Sequence, residues 1–375
     1  MLVAALVNRT KADLTEVQWD ALIRALYSLR IEGKSFDESA LPTEWQTRAT
    51  SWRPRPDSSD ITEIADAAEP WGVLVWNMAL MSRGGAKGED NLAYLWELVD
   101  RYSIKVALLS ETRVAYLKAA NGRAEDDRIL FAFSEDGIQG RDYWTDPKDV
   151  HKLKDRKDWS SAVMSPLGVA RLGPDDVRAQ SSARRNDPIV DVPFTDSRGG
   201  IWVAATVDVG SERITCVSLY GLIEELTDAS MHRALSDISP IFADPNHDGP
   251  VLLGGDFNIG TGLEDPAERE RSRIVLNRIE AYGLVDCLAA WHEREGLPPL
   301  EGCRCDPPCH HMLTRLNPQQ RGSQKPWQER TPRQVDYLFA SEDLADRLVD
   351  VIAIPPEEWE RYGDHAPIVA RFRPD

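Results

Sequence analysis

What this 375-residue chain lacks narrows what it can be. No apolar run approaches the ~18–20 residues that cross a bilayer, so neither a membrane helix nor a membrane partner is expected. The opening Met-Leu-Val-Ala-Ala-Leu-Val is apolar, but no basic segment precedes it and it meets Asn8 and Arg9 too soon for a secretory signal. A framework of paired cysteines is missing too. There are five, an odd count, and three crowd between Cys303 and Cys309. The expectation is a reducing cytoplasm, with the crowded thiols held for a metal. Positive charge is also scarce: 44 Lys and Arg stand against 62 Asp and Glu, a formal net charge of -18. Proteins that grip nucleic acid through its phosphates usually carry a basic surface. Any such contact here needs a local basic patch or a bound cation, and a small substrate fits the acidic chain equally well.

What is present is an ordinary globular balance, 42% hydrophobic and 28% charged, enough for one large core plus an appendage. The appendage is expected over residues 1–60, as an N-terminal helical extension and linker, with the main domain over 61–375. Thr15 can cap a helix and Gln18 completes a capping box. Trp19, Leu22, Ile23, Leu26 and Leu29 share one helical face, and Gly33 is a natural stop. This helix either packs on the main domain or docks a protein partner. Trp-Arg-Pro-Arg-Pro-Asp-Ser-Ser-Asp from Trp52 to Asp60 reads as a linker.

Beyond the linker a rhythm sets in: a short apolar run ends and a polar residue stands just past it. Val73–Trp76 leads to Asn77, Val106–Leu109 to Glu111, Ile214–Leu219 to Tyr220, and Val251–Leu253 to Asp256 and Asn258. These runs are too short for helices and are β-branched or bounded by glycine, which marks buried strands. Leu92, Leu95, Trp96 and Val99 make a helix face. Strands and helices mix without strict alternation, the pattern of stacked sheets flanked by helices.

Singly, the polar residues are turn formers or strand ends. Gly254-Gly255-Asp256-Phe257-Asn258 is more specific: two glycines allow a tight turn, and in an extended segment Asp256 and Asn258 point to one side. A carboxylate and an amide placed side by side suit a water and a phosphoryl oxygen. Gly363-Asp364-His365 precedes the final apolar run, and a carboxylate beside an imidazole can bind a hard cation or polarise its neighbour.

Together with Val75-Trp76-Asn77, Leu109-Ser110-Glu111-Thr112, Ser161–Ser165, Ser218-Leu219-Tyr220-Gly221 and Val335-Asp336-Tyr337-Leu338-Phe339, these pieces stand in the order found in the endonuclease/exonuclease/phosphatase superfamily. The chain resembles that family from about Trp71 to its C-terminus. The resemblance implies an α/β fold, a four-layered α/β/β/α sandwich of two mixed β-sheets flanked by helices. It also implies a divalent-metal-dependent phosphoesterase, with a nucleic-acid substrate (DNA or RNA) as the first reading. Glu111 would hold Mg²⁺ or Mn²⁺, with Asp364 helping directly or through water. Asp256 would orient and help deprotonate the attacking water. His365 would contact the scissile phosphate, with Asp336 setting its tautomer. Asn77 and Asn258 would donate to the carboxylates or phosphoryl oxygens, and Tyr220 would line the phosphate site. The chain departs from the family pattern at Gly363, where Ser is common, and at Gln334, where Arg is common, which puts substrate class in question more than activity.

Arg184, Arg185, Arg198 and the stretch from Arg315 to Arg333 can furnish a basic rim. Trp144, Trp159, Trp202 and Trp327 can stack bases near it, although core or sheet-edge packing suits each of them singly. Two alternatives stand: a phosphatase or phosphodiesterase of a small molecule or lipid headgroup, and a non-catalytic interaction protein on the same fold.

The remaining motif is Cys303-Arg-Cys305-Asp-Pro-Pro-Cys309-His310-His311, in a Pro-, Gly- and Arg-rich insertion over 302–333. A structural Zn²⁺ wants four thiolate or imidazole ligands. Cys303, Cys305, Cys309 and His311 can provide them, with His310 in reserve. Reduced thiols in a loop, or a Cys303–Cys309 disulfide, are the competing readings.

Overall fold

The computed structural model describes residues 69–79, 86–113, 129–131, 159–172, 177, 179–181, 190–192, 201–223, 227–243, 249–316 and 332–375. The N-terminal helix, the linker, Trp144, Arg184, Arg185, Arg198, Arg321 and Trp327 lie outside these residues, and of Trp159 only the backbone is described. By its contacts the chain separates into Met1–Ala67 and Ala68–Asp375, and every described residue belongs to the second unit.

Two six-stranded sheets carry this unit. The first uses β1 (Trp71–Asn77), β2 (Ile104–Arg113), β3 (Ile129–Phe131), β4 (Trp159–Met164), β15 (Leu348–Ala353) and β16 (Ile368–Phe372), in the order β15-β16-β1-β2-β4-β3. The second uses β5 (Ala170–Arg171), β8 (Trp202–Val209), β9 (Glu212–Leu219), β10 (Val251–Asp256), β11 (Leu284–Asp286) and β14 (Asp336–Ser341), in the order β11-β14-β10-β9-β8-β5. Two small ladders complete the set: β6 (Ala179–Ser181) with β7 (Val190–Val192), and β12 (Arg315–Leu316) with β13 (Pro332–Arg333). Each large sheet is mixed in the same way, with a parallel pair (β1 with β2, β9 with β10) and antiparallel neighbours on either side.

The apolar runs are continuous because both faces of the inner strands are buried. Along β1, Val73 and Val75 enter the layer between the sheets, while Leu74 and Trp76 meet α1 (Ala86–Arg101) on the outside. In β10 and β14, Leu252, Leu338 and Ala340 face inward. Leu253, Tyr337 and Phe339 instead meet α2 (Thr227–Ala243) and α3 (Pro266–Glu280). Helix α1 buries Leu92, Leu95, Leu98 and Val99, in line with the expected face. Burying each large side chain contributes about 1.5–3 kcal/mol, so this three-layered apolar packing is the main support of the strand ends that carry the polar residues. The result is the α/β/β/α sandwich anticipated from the resemblance, with helices on the outer face of each sheet.

Trp202 packs among Leu219, Ile238 and Ile241, and its indole N–H donates to Asp237 Oδ2 at 3.4 Å. It is therefore a core residue and is not available to stack a base.

Candidate active site

The polar residues that follow the apolar runs gather where β1, β2, β9 and β10 end. Asp256 closes β10 and is the direct cross-strand partner of Asp336, the first residue of β14. Like charges placed opposite each other across a ladder repel. His365 offsets that repulsion. Its Nδ1 lies 3.1 and 2.9 Å from the two oxygens of Asp336, and its Nε2 lies 3.7 Å from Asp256 Oδ2. With Nδ1–H donating to Asp336, Nε2 is turned toward Asp256. All three side chains are buried. Burial works against a charge on His365, but the carboxylates of Asp336 and Asp256 push its pKa up to about 9. Burial pushes the Asp256 carboxyl up to about 7 even with His365 beside it. An acid and a base are thus held in one row, His365 hydrogen-bonded to Asp336 and within ion-pair distance of Asp256.

Two amides fix the Asp256 carboxylate. Asn77 Nδ2, at the end of β1, donates to Asp256 Oδ2 at 2.8 Å, and the Asn77 carbonyl accepts from Ala79 N at 2.9 Å, so its orientation is settled. Asn258 Nδ2 donates to the same Oδ2 at 3.1 Å and to the Gly221 carbonyl at 2.8 Å, and Asn258 N donates to Asp256 Oδ1 at 2.9 Å. Asn258 is not in extended backbone as the sequence pattern implied. Its φ is 51°, a tight turn past the strand end, and that turn folds its amide back onto the carboxylate. The strand needs glycine just before it: a Cβ on Gly255 would lie 1.9 Å from the Leu219 carbonyl oxygen, and φ there is 142°. The close approach of β10 to β9 is what brings Tyr220 alongside.

Glu111 is delivered by a bulge. Leu109 pairs with Ala162 and Thr112 with Ser160, so Ser110 and Glu111 together face one residue of β4. Glu111 takes φ 49°, a conformation that costs a non-glycine residue about 1–2 kcal/mol. A bulge re-aims a side chain, and here the carboxylate receives the Tyr220 hydroxyl, Oη to Oε1 3.2 Å.

Asp364 lies beside Arg315, 3.7 Å from its Nε. Arg315 Nη1 donates to Asn258 Oδ1 at 3.1 Å, so this cation, expected on a basic rim, instead stands against the carboxylate–amide group. Among the described residues Asp256, Asp336 and His365 form a compact set of potential ligands, with one donor atom from each within 4.8 Å of the others. Glu111 and Asp364 are not in that set.

Sequence patterns missed several supporting residues. Thr314 is buried, and its Oγ1 accepts from Val335 N (3.0 Å) and Asp336 N (3.2 Å). Ser110 Oγ accepts from Asp256 N at 3.3 Å. Arg315 pairs by its backbone with His365. Ser110 stands in the matched Leu109–Thr112 piece but had no role assigned to it, and no spacing would have marked Arg315 or Thr314 as bonded to the site. Gln334, noted as a departure, is buried and accepts from Met312 N through Oε1 at 2.7 Å, which ties the segment after His311 to β14.

The second expected cluster also comes together. Cys303, Cys305, Cys309 and His311 each offer a ligand atom within 4.8 Å of the others, and no disulfide joins the thiols. His310 is outside the set and lies edge-on to the His292 ring.

No family model matches the sequence, and no curated protein does. Among solved structures the chain is similar to an AP endonuclease from Archaeoglobus fulgidus, at 14% identity and a TM-score of 0.49, covering 80% of this chain and 99% of that one. An AP endonuclease from Leishmania major is 17% identical with a TM-score of 0.49, over 86% of this chain and 92% of that one. A 3′ phosphatase from Neisseria, solved with a product DNA hairpin, is 17% identical with a TM-score of 0.47, over 80% and 99%. No helix among the described residues is long and apolar enough to cross a membrane.

Proposed function

We propose that the chain is a divalent-metal-dependent phosphodiesterase of the endonuclease/exonuclease/phosphatase type, acting on nucleic acid. The observation that carries this reading is the row Asp336–His365–Asp256, with Asn77 and Asn258 both bonded to Asp256.

Hydrolysis of a phosphodiester needs a base for the attacking water, donors for the developing charge on phosphorus, and a way to offset the repulsion between two anions. Asp256 is the base. Its carboxylate is pinned by two amides, and its pKa of about 7 suits proton acceptance near neutral pH. His365, whose Nδ1–H is committed to Asp336, carries a proton at Nε2 below about pH 9 and gives it as a hydrogen bond to a phosphoryl oxygen. Arg315 adds a fixed positive charge next to Asn258 and Asp364. Two described serines beside the site are otherwise engaged: Ser110 Oγ accepts from Asp256 N, and Ser218 Oγ donates to the Leu109 carbonyl. Direct attack by water is therefore favoured over a seryl intermediate.

The residues present fit a hard cation. Glu111 and Asp364 each offer hard carboxylate oxygens on a partly exposed side chain, the first bonded to Tyr220 and the second next to His365 in the chain. Mg²⁺ keeps several waters and needs only one or two carboxylates, so Glu111 with Asp364 suffices. Bound there, the ion would offset substrate charge and lower the pKa of a coordinated water.

Nucleic acid is the first substrate class because the Asp256-Phe257-Asn258 core and the Tyr220-Gly221 pair resemble those of nucleases within that superfamily. The net charge of -18 favours a substrate held locally over tight grip on a long duplex. A phosphatase or phosphodiesterase of a small molecule or lipid headgroup is thus the second reading. A panel of single- and double-stranded DNA, RNA, inositol phosphates and bis-p-nitrophenyl phosphate, each with Mg²⁺ or EDTA, tests both. Metal-dependent cleavage of a polynucleotide supports the proposal. Turnover confined to inositol phosphates or bis-p-nitrophenyl phosphate moves it to the second reading, and no turnover of any ester with Mg²⁺ overturns it.

A further inference from the structure

The Cys303–His311 loop has a geometry that its backbone alone does not require. Cys303 Sγ lies 3.2 Å and Cys309 Sγ 3.6 Å from His311 Nδ1, and Cys305 Sγ completes a set within 4.8 Å. Ligand atoms at the corners of a zinc tetrahedron, with Zn–S ~2.3 Å and Zn–N ~2.0 Å, stand about 3.5–3.8 Å apart; the two sulfur–nitrogen separations lie close to that, and the remaining pairs are within 4.8 Å. The imidazole is oriented from behind: His311 Nε2 lies 2.8 Å from Thr261 Oγ1. With Nε2–H donating to that hydroxyl, the Nδ1 lone pair faces the three sulfurs, the arrangement that a metal-bound histidine adopts.

We propose that Cys303, Cys305, Cys309 and His311 bind one structural Zn²⁺ ion that clamps the loop after β10 to the segment entering β12. Four protein ligands leave no open position, so this ion takes no part in the chemistry. Its effect on the site is positional. On one side of the cluster, Thr261 holds His311, and Gly262 packs so closely that a Cβ there would lie 2.8 Å from Cys303 Sγ. Thr261 is three residues past Asn258. On the other side, the chain from His311 runs through Met312, held by Gln334, and Thr314, held against Val335 and Asp336, to Arg315, which reaches back to Asn258. The cluster therefore closes a ring between the turn that aims Asn258 and the strand that presents Arg315. This ring stands whatever ester the enzyme cleaves.

The test is metal analysis of the full-length protein, purified without chelator or added zinc. About one equivalent of zinc per chain is expected in the wild type and in His310→Ala, and less than about a tenth of one in a Cys303→Ser/Cys309→Ser variant. X-ray absorption at the zinc edge of the wild type should give about three sulfurs near 2.3 Å and one nitrogen, and this measurement decides the matter even where the double variant fails to fold. Zinc well below stoichiometry in the wild type, or a first shell of oxygen and nitrogen only, overturns the proposal. The latter would place the ion among the carboxylates instead. Neither result depends on whether any phosphate ester is cleaved, so the zinc site and the phosphodiesterase reading can fail separately.

Discussion

The protein holds two clusters of polar ligands of opposite construction. The row of Asp336, His365 and Asp256, with Asn77 and Asn258, draws its members from positions spread between Asn77 and His365, at strand ends, in the turn past β10 and, for His365, in the segment leading into β16. The cysteine cluster comes from nine consecutive residues of one loop. The first is buried, charged and held by hydrogen bonds from two sheets. The second is half-buried, soft in its ligands and held by a single neighbouring segment. The difference teaches which cluster tolerates change: a distributed array has its geometry dictated by the sandwich core, while a local one has little besides its ligand to set it.

The largest expected effects lie in the distributed array. Asp256→Asn and His365→Ala should each cut turnover by ~10³-fold or more, because each removes a proton-transfer or charge-stabilising group. The double variant should fall far short of the product of the two, since both act on one transition state. Steady-state kinetics showing full independence would mean that the two residues serve different sites.

Glu111 separates chemistry from stability. Glu111→Ala should abolish divalent-ion dependence and nearly all turnover, with the protein still folded. Glu111→Gly should lose activity equally, yet unfold at the same or a higher denaturant concentration, by about 1 kcal/mol, because glycine adopts φ 49° without strain. Unchanged Mg²⁺ or Mn²⁺ binding by calorimetry in either variant would remove Glu111 from the metal site.

Protonation gives a smaller but signed effect. The His365 pKa, raised to about 9, makes a contribution to stability that is complete below its unfolded value of ~6.5 and lost as pH rises through 9. The Asp256 pKa is raised as well, to about 7, so its contribution is present below ~4 and lost as pH rises through 7. Both signs agree: stability of the metal-free protein should decline from pH 5 to 9, and Asp256→Asn should flatten the part below 7. Turnover should be bell-shaped, rising as the pair yields the Asp256 carboxylate and falling as His365 loses its proton, with the two limits belonging to the coupled pair rather than to either residue. A profile still climbing at pH 10 would exclude a protonated His365 from the reaction.

The mildest change is expected at the local cluster. Thr261→Val removes the partner of His311 Nε2 and should weaken zinc retention about 10-fold against a competing chelator, with little change in thermal stability while zinc is saturating. Retention equal to the wild type would show that the hydroxyl does not orient the ring.

Legibility in the sequence followed the same division. The thiol–imidazole set could be read from spacing because all four residues share one short loop, and the fold places His311, already preferred to His310, beside the thiols. The strand ends could be read as a rhythm, and their chemistry emerged through resemblance to a known family, since nothing local says that Asn77 and Asp256, 179 residues apart, touch. Trp202 was offered for stacking and proved to be core, because the indole finds Asp237 on the helix that covers its sheet.

By itself the sequence determined the alternation that sends Val73 and Val75 to one face and Leu74 and Trp76 to the other, the glycines that let β10 lie against β9, and the identity of every ligand. Only the tertiary structure decided that Asp256 and Asp336 oppose each other across a ladder with His365 between them, that a bulge turns Glu111 toward Tyr220, and that Arg315 leaves the surface to reach Asn258. The physical reason is that apolar period and backbone freedom are properties of neighbouring residues. The pKa of a buried carboxylate, by contrast, depends on which distant charges the packed sheets bring within a few ångströms of it.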